Sequence, residues 1–390
     1  MIEDKSRIWL SSPHMSGDEQ KYIKEAFDEN WIAPLGSNIL GFEKDLEDYL
    51  RPEKETAPYS DKGVNVTVLN SGTAAIHLAL ILLGVGKGDE VLVQSHTHIA
   101  SVNPVVYLGA TPVFIDSETD TWNMCPDTLE EAIKDRLGKG KKIKAIIAVH
   151  LYGMPYKADE INAVSQKYNI PVIEDSAEAL GSRYKGKMCG TLGDIGVLSF
   201  NGNKIITTSG GGAIITASQD QKDRVMYLAS QAKDNVPYYQ HREIGYNYKM
   251  SNIVAGIGRG QMEVLEERIV LRREVNDFYK SLFSDNEAVS ILTEPDERFY
   301  SNYWLSTLLL DPKLTKVVPS DIWKILESEN IESRPLWKPM HLQPVFDGCM
   351  YYGGNISENL FNNGLCLPSG SNLTPEQKEK IFDVLNKISF

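Results

Sequence analysis

The 390-residue sequence predicts an α/β protein with a mostly parallel sheet, helices on both faces, and a second, smaller domain. Three observations carry that prediction. Between residues 64 and 216, short runs rich in Val and Ile alternate with helical patterns, as strand–helix–strand units require. After residue 253 that alternation stops and a long helical stretch begins. The chain also exceeds the roughly 250–300 residues that one hydrophobic core organises. A larger domain is expected over residues 1–252, and a connecting helix with a smaller α+β domain over 253–390. The N-terminal helix around 18–30 is expected to join the smaller domain.

The strands are read from "VNVTVL" (64–69), "EVLVQ" (90–94), "TPVFID" (111–116), "KAIIAVH" (144–150), "IPVIED" (170–175), "IGVLSF" (195–200) and "GAIIT" (212–216). Each is short and apolar, and most are bounded by Gly, Pro, Asp or Asn. Near-continuous apolar runs mark strands covered on both faces. Helices are expected at 73–83, 127–137, 157–168 and 219–232, where apolar residues recur at helical spacing. Beyond 253, "IVAGIGRGQMEVLEERIVLRREVNDFYKSLF" reads as one long helical stretch. Near the end, Thr374 and Gln377 form a capping box with Pro375 at the first helical position. Ile381, Val384, Leu385 and Ile388 then share one helical face.

Composition narrows the function. A formal charge of −13 argues against a general nucleic-acid binder, which needs a basic face. The densest basic run, "GKGKKIK" at 138–144, reads as a solvated loop. The opening "MIEDKSRIWL" lacks a signal-peptide core, and the longest apolar stretch, "AAIHLALILLGV" at 74–85, is too short to span a bilayer. The four cysteines show no metal spacing, so free thiols and a cytoplasmic location are expected. "GSRYKGKM" at 181–188 falls short of a P-loop because Met188 stands where a magnesium-binding hydroxyl belongs; a hairpin turn is expected instead. "GVGKGDE" at 84–90 ends a helix rather than opening one.

Three separated segments at strand ends carry the chemistry. In "NSGTAAIHLAL" (70–80), Ser71, Gly72 and Thr73 open an apolar helix, whose free N–H groups suit either a phosphate or a simple N-cap. In "VIEDSAEALGS" (172–182), a buried strand runs into Glu174 and Asp175; either Asp175 or Ser176 is a simple N-cap, or the carboxylates face a cationic ring. In "SFNGNKIITTSGGG" (199–212), Lys204 follows a buried strand and precedes three glycines, which let backbone approach a ligand closely. A free lysine amine, with a pKa of about 10.4, is neutral only about once in a few thousand molecules at pH 7, so a nucleophilic lysine needs a special setting. An anion cradle, an acid and a lysine in this order fit pyridoxal 5'-phosphate, which has a phosphate, a pyridine nitrogen and an aldehyde.

"NSGTAAIHLAL", "IPVIEDSAEALGS", "SFNGNKIITTSGGG", "GYNYKMSNIVAG" and "RPLWKPMH" together resemble the DegT/DnrJ/EryC1/StrS nucleotide-sugar aminotransferases, almost end to end. The resemblance is greatest to bacterial members that aminate C4 of UDP-4-keto-6-deoxy-N-acetylglucosamine for exopolysaccharide or glycan synthesis. It implies the fold type I (aspartate-aminotransferase-like) architecture and a homodimer with shared active sites. It further implies glutamate as amino donor and a cofactor cycling between pyridoxal and pyridoxamine 5'-phosphate.

By the family pattern Lys204 is the Schiff-base lysine and proton shuttle, Asp175 pairs with the pyridine nitrogen, and Glu178 lies near the ring hydroxyl where many relatives have Gln. Gly72, Thr73 and Ser199 hold the phosphate, and Asn247 reaches it from the other subunit. His98 stands where relatives stack an aromatic ring, and Lys249 where Arg is common. His341 is a candidate for the sugar or nucleotide, with a structural loop histidine as the alternative. Trp31 reads as core or interface. A branch of the family dehydrates deoxysugars with histidine in place of the lysine; Lys204 argues against that reading. A non-catalytic regulator on the same fold would lack the lysine or the acid, and neither is missing.

Overall fold

The structure, a computed structural model, describes residues 7–51 and 63–390; the first six residues of the acidic opening lie outside them. Its centre is an eight-stranded sheet. In spatial order the strands are Asn65–Leu69, Gly212–Thr216, Ile195–Ser199, Val172–Asp175, Ile143–Val149, Glu90–Gln94, Thr111–Ile115 and Tyr351–Tyr352. All neighbours pair in parallel except Gly212–Thr216, which runs antiparallel to both of its neighbours. All seven strands read from the sequence belong to this sheet. The eighth is a two-residue edge strand from the C-terminal region, too short to show a strand pattern.

Apolar side chains cover both faces. On one, Ala75, Ile76, Leu78 and Ala79 of the helix Gly72–Leu82 pack with Val225 and Leu228 against Val91, Val93, Ile147 and Ile173. The other face is covered in two parts. Helices Pro126–Gly138 and Ala158–Tyr168 lie over its middle, and Ser37–Leu50 with Asn252–Met262 over the edge near Asn65–Leu69. The helix expected at 219–232 stops at Ala229, because Gln231 and Ala232 take positive φ of 66° and 51°.

A second sheet is antiparallel, ordered Val289–Ile291, Ser306–Leu310, Gly364–Leu367 and Arg334–Pro335. Helices Leu265–Leu282, Pro319–Ser328 and Pro375–Leu385 pack on it through Val275, Tyr279, Ile322, Leu326, Ile381 and Leu385. The last helix carries the Thr374–Gln377 capping box. Two sequence expectations need correction here. The long stretch after 253 is two helices, Asn252–Met262 and Leu265–Leu282, broken at Glu263–Val264. The N-terminal helix Glu19–Asp28 packs on Asn252–Met262, with Tyr22 Oη bonded to Glu263, rather than on the second sheet. The N-terminal segment that does join the second sheet is shorter: Ile8 bridges to Ile331 and is buried in that core, and Arg7 pairs with Glu327.

Arg183–Tyr184 and Lys187–Met188 form the expected hairpin, turning at Lys185 and Gly186 with positive φ. The four cysteines are unpaired. Among the described residues no helix is long and apolar enough to cross a membrane.

Candidate active site

The carboxyl ends of Asn65–Leu69, Ile143–Val149, Val172–Asp175 and Ile195–Ser199 open into one cavity of about 380 Å³. That volume lies within the range of small-molecule sites. Gly72, Thr73, His98, Asp175, Glu178, Ser199 and Lys204 all line it. Residues from four separate chain segments therefore meet there.

The helix Gly72–Leu82 supplies the anion end. Ser71 caps it, its hydroxyl accepting from Ala74 N–H at 3.1 Å, so the first turn points its N–H groups into the cavity. Gly72 sits in a tight place: a Cβ there would lie 3.2 Å from Ser199 Cβ and 3.3 Å from Leu198 O. Of the glycines after Lys204, Gly210 and Gly211 line the cavity as expected, while Gly211 and Gly212 also have a packing role. A Cβ on Gly212 would meet Gly72 N at 2.3 Å, and one on Gly211 would meet Thr208 Oγ1 at 2.3 Å. These two let the antiparallel strand press against the "NSGT" turn; only Gly210 faces open space.

The acidic pair separates because successive strand residues face opposite sides. Glu174 turns away from the cavity. It accepts from Gly190, Leu192 and Gly193 N–H at 2.5, 2.7 and 2.8 Å and from His150 Nε2 at 2.7 Å. Tyr156 N–H donates to His150 Nδ1 at 3.1 Å, which leaves Nε2 as the protonated nitrogen. Cys189 lies 3.8 Å from the same Nδ1, but the direct hydrogen bonds within this buried trio make it a structural knot.

Asp175 faces the cavity and is nearly fully buried. Ser101 Oγ donates to its Oδ2 at 2.7 Å, and Ala177 N–H to its Oδ1 at 3.1 Å. The turn-capping alternative is thus present together with the cavity-facing placement. Thr97 Oγ1 lies 2.9 Å from Ser101 Oγ and extends the chain of hydroxyls.

Lys204 Nζ lies 3.5 Å from Glu178 Oε1 and 4.1 Å from the centre of the Trp304 ring. Its ammonium therefore meets a carboxylate and an aromatic face rather than another cation. Glu178 is buried, and Tyr152 N–H donates to its other oxygen at 2.7 Å. Desolvation pushes the Glu178 carboxyl up from its ordinary value, and the Lys204 charge opposes that shift. At the mouth, His98 meets Trp337 edge-on with centroids 4.6 Å apart. Desolvation by the pocket walls, then the Lys204 charge, lowers the His98 pKa, with Asp175 acting in the opposite sense.

Three expected residues lie outside this chain's own cavity. His341 is outside the cavity: Nδ1 lies 2.7 Å from Ser95 Oγ, Nε2 3.1 Å from Glu358, and its ring stacks on Tyr351 at 3.7 Å. With both nitrogens engaged, the geometry matches the structural alternative. Asn247 and Lys249 do not line this chain's own cavity; Asn247 has an exposed side chain, and its carbonyl accepts from Asn70 Nδ2 at 3.2 Å. Trp31 is about half exposed, held through its carbonyl by Asn252 Nδ2 at 2.8 Å. Sequence reading missed Ser101, Trp304 and Trp337. No local pattern marks them, although Ser101 lies three residues after His98.

His96, two residues before His98, is fully buried against the edge of Tyr152, and neither ring nitrogen has a hydrogen-bond partner. Burial lowers its pKa from 6.5 to about 3, opposed weakly by Asp116. The unfolded chain takes up a proton below pH 6.5 and the folded chain does not. The stability from this group is therefore present above pH 6.5 and is lost as pH falls toward 3. The slope approaches 1.4 kcal/mol per pH unit, roughly, once pH is well below 6.5. His96→Leu is expected to flatten the fall in melting temperature between pH 7 and pH 5. Parallel melting profiles for variant and wild type would show that His96 does not drive it.

The residues present fit pyridoxal 5'-phosphate. The glycine-tight helix start suits the phosphate, Asp175 offers a buried negative partner, and Lys204 offers a primary amine within the same cavity. Comparisons with known proteins agree. A profile of the DegT/DnrJ/EryC1/StrS aminotransferase family matches residues 13–386. EpsN of Bacillus subtilis (strain 168), classed provisionally as a pyridoxal phosphate-dependent aminotransferase, is 49% identical over 383 residues, 97% of this chain and 95% of that one. The GDP-perosamine synthase of Escherichia coli O157:H7 is 38% identical over 380 residues, covering 97% and 98% of the two chains. The PLP form of Spr1654 from Streptococcus pneumoniae superposes with a TM-score of 0.85 at 27% identity, covering 98% of this chain and 100% of that one. Fold, cavity and sequence thus converge, and the chain belongs to the DegT/DnrJ/EryC1/StrS aminotransferase family, whose cofactor is pyridoxal 5'-phosphate.

Proposed function

We propose that this protein transfers an amino group from glutamate to C4 of a nucleotide-linked 4-keto-6-deoxy sugar, with UDP-4-keto-6-deoxy-N-acetylglucosamine as the first candidate. The observation that carries this reading is the meeting of Lys204, Asp175 and the open end of the helix Gly72–Leu82 in one cavity. When bound, pyridoxal phosphate supplies the electron sink that stabilises a carbanion on the amino-bearing carbon. Gly72, Thr73 and Ser199 hold the phosphate end, and Asp175 holds negative charge toward the ring nitrogen. Lys204 Nζ takes a proton from the donor's α-carbon in one half-reaction and delivers one to the sugar's C4 in the other. One positioned amine serves both, so proximity supplies much of the rate. Trp304 and Trp337 narrow the mouth and limit water around Lys204.

A homodimer completes the proposed site, with the partner subunit's Asn247 at the phosphate. Two segments support a subunit surface: Phe27, Trp31, Ile32, Leu35 and Leu40 are exposed along one, and Tyr238, Tyr239 and Ile244 along another. A GDP-linked sugar is the second reading for the nucleotide, favoured by the likeness to the GDP-perosamine synthase.

The test is a panel of UDP-, GDP- and dTDP-linked 4-keto sugars with glutamate as donor. Amino-sugar formation from the UDP sugar is expected, at a kcat/KM well above the others. Preference for the GDP sugar selects the second reading. Amination of a 3-keto sugar alone rules out C4.

A further inference from the structure

The peptide that joins Asn203 to Lys204 is held by two distant parts of the chain. The carbonyl of Asn203, the residue just before it, accepts two hydrogen bonds: Ser11 Oγ donates at 2.7 Å and Trp304 Nε1 at 2.7 Å. A carbonyl oxygen has two lone pairs, so both are occupied. Both donors are in turn held by one side chain. Arg272 Nη2 donates to Ser11 Oγ at 2.9 Å, and Arg272 Nη1 donates to Trp304 O at 2.5 Å and to Ser369 O at 3.1 Å.

The direction of these bonds is fixed by chemistry. A guanidinium can only donate, so Ser11 Oγ accepts from Arg272 and must send its own proton to Asn203. Arg272 is 1% exposed and meets carbonyls and a hydroxyl rather than a carboxylate. A buried cation without a counter-ion is unfavourable unless its donors are well placed. Its planar fork suits that task where a lysine could not bridge both donors. The ring whose Nε1 clamps Asn203 is also the ring that faces Lys204 Nζ at 4.1 Å.

We infer that Arg272 is a positioning residue for Lys204, acting through Ser11 and Trp304 to hold the Asn203 carbonyl and so the lysine's place in the cavity. This rests on Lys204 being the cofactor-bearing lysine. It assigns the helix Leu265–Leu282 and the N-terminal segment a part in the chemistry, although neither donates a side chain to the cavity apart from the ring they hold.

The experiment separates the inference from the reading beneath it. Borohydride reduction of the loaded wild type, followed by peptide mapping, comes first; cofactor on a different lysine removes the reading itself. With the label on Lys204, the variants are Ser11→Ala, Trp304→Phe, their double, and Arg272→Lys. Hydrogen–deuterium exchange is followed in cofactor-free protein at the Lys204 amide, which donates to Asn201 O at 3.0 Å. Each single variant is expected to exchange about 3- to 10-fold faster, the effect of losing one hydrogen bond. The double is expected to exceed the product of the singles, because only then is the carbonyl left without a partner. Arg272→Lys is expected to resemble the double. In loaded enzyme the pH midpoint of the visible absorbance band should shift, and kcat should fall with KM for glutamate unchanged. A double variant with wild-type exchange and an unshifted band overturns the inference, as does slower turnover with both unchanged.

Discussion

Lys204→Arg is expected to lower kcat by about 10³-fold or more, since general acid–base catalysis by a positioned group is typically worth 10²–10⁴-fold and covalent capture is lost as well. The substitution is chosen to isolate chemistry from structure. Arginine keeps a cation opposite Glu178, which lies 3.5 Å from Nζ, and over the Trp304 ring at 4.1 Å. It cannot lose its proton at neutral pH, so it neither attacks a carbonyl carbon nor accepts a proton from one. The variant should therefore fold and still bind cofactor non-covalently through Gly72, Thr73 and Asp175. Borohydride should no longer fix cofactor to the protein. With Lys204→Ala, a small added primary amine should restore part of the proton transfer, because the vacated volume admits it. Retention of a tenth of wild-type turnover by Lys204→Arg would show that another group moves the proton.

Much of this site was legible because its residues sit where the backbone itself leaves a mark. Asp175 ends an apolar strand, Gly72 and Thr73 open an apolar helix, and Lys204 lies between a strand and a glycine run. Strand ends and helix starts have local patterns, and in a parallel sheet the fold brings those ends together on one side. The pattern could not say which of Glu174 and Asp175 faces the cavity. That depends on register, and one residue of slip exchanges them.

What was illegible depends on long-range packing. Trp304 and Trp337 come from loops of the C-terminal region, a hundred residues or more from Lys204 in sequence, and Ser11 lies 192 residues from Asn203. A tryptophan in a loop has no signature separating a core residue from a cavity wall. The glycines after Lys204 were legible as important, but the packing role of Gly211 and Gly212 was not. Their lack of Cβ is needed by Ser71–Gly72 backbone, Thr208 and Met250, and only the folded neighbours reveal that. His341 was open between a ligand contact and a structural loop histidine, since one histidine beside a proline carries little information, and the fold seats it between Ser95, Glu358 and Tyr351. The single long helix expected after 253 failed because helical periodicity continues across Glu263–Val264 while the backbone turns.

Asp175→Asn gives the second large effect and separates two roles that the structure superimposes. Asparagine has nearly the same shape, so its Oδ1 still accepts from Ala177 N–H or Ser101 Oγ, whose bonds to the carboxylate are 3.1 and 2.7 Å. Only the charge disappears. If Asp175 acts on the cofactor ring, kcat at saturating cofactor is expected to fall on the order of 10²- to 10³-fold, the loss typical of one preorganised electrostatic partner of developing charge. Cofactor affinity should fall too, and the visible band of the loaded enzyme should move. Ser101→Ala leaves the charge and removes one hydrogen bond, so about a 3- to 10-fold loss is expected there. The ordering of the two variants is the decisive feature. Were Asp175 merely the cap of the Ala177 turn, Asp175→Asn would lower thermal stability and leave kcat at saturating cofactor near wild type. Were the hydroxyl chain through Thr97 and Ser101 the essential element, Ser101→Ala would match or exceed it. Cavity placement, burial and the absence of a cation against Asp175 among the described contacts favour the first outcome, because a buried charge with no protein counter-ion is retained at a cost that a cationic ligand offsets.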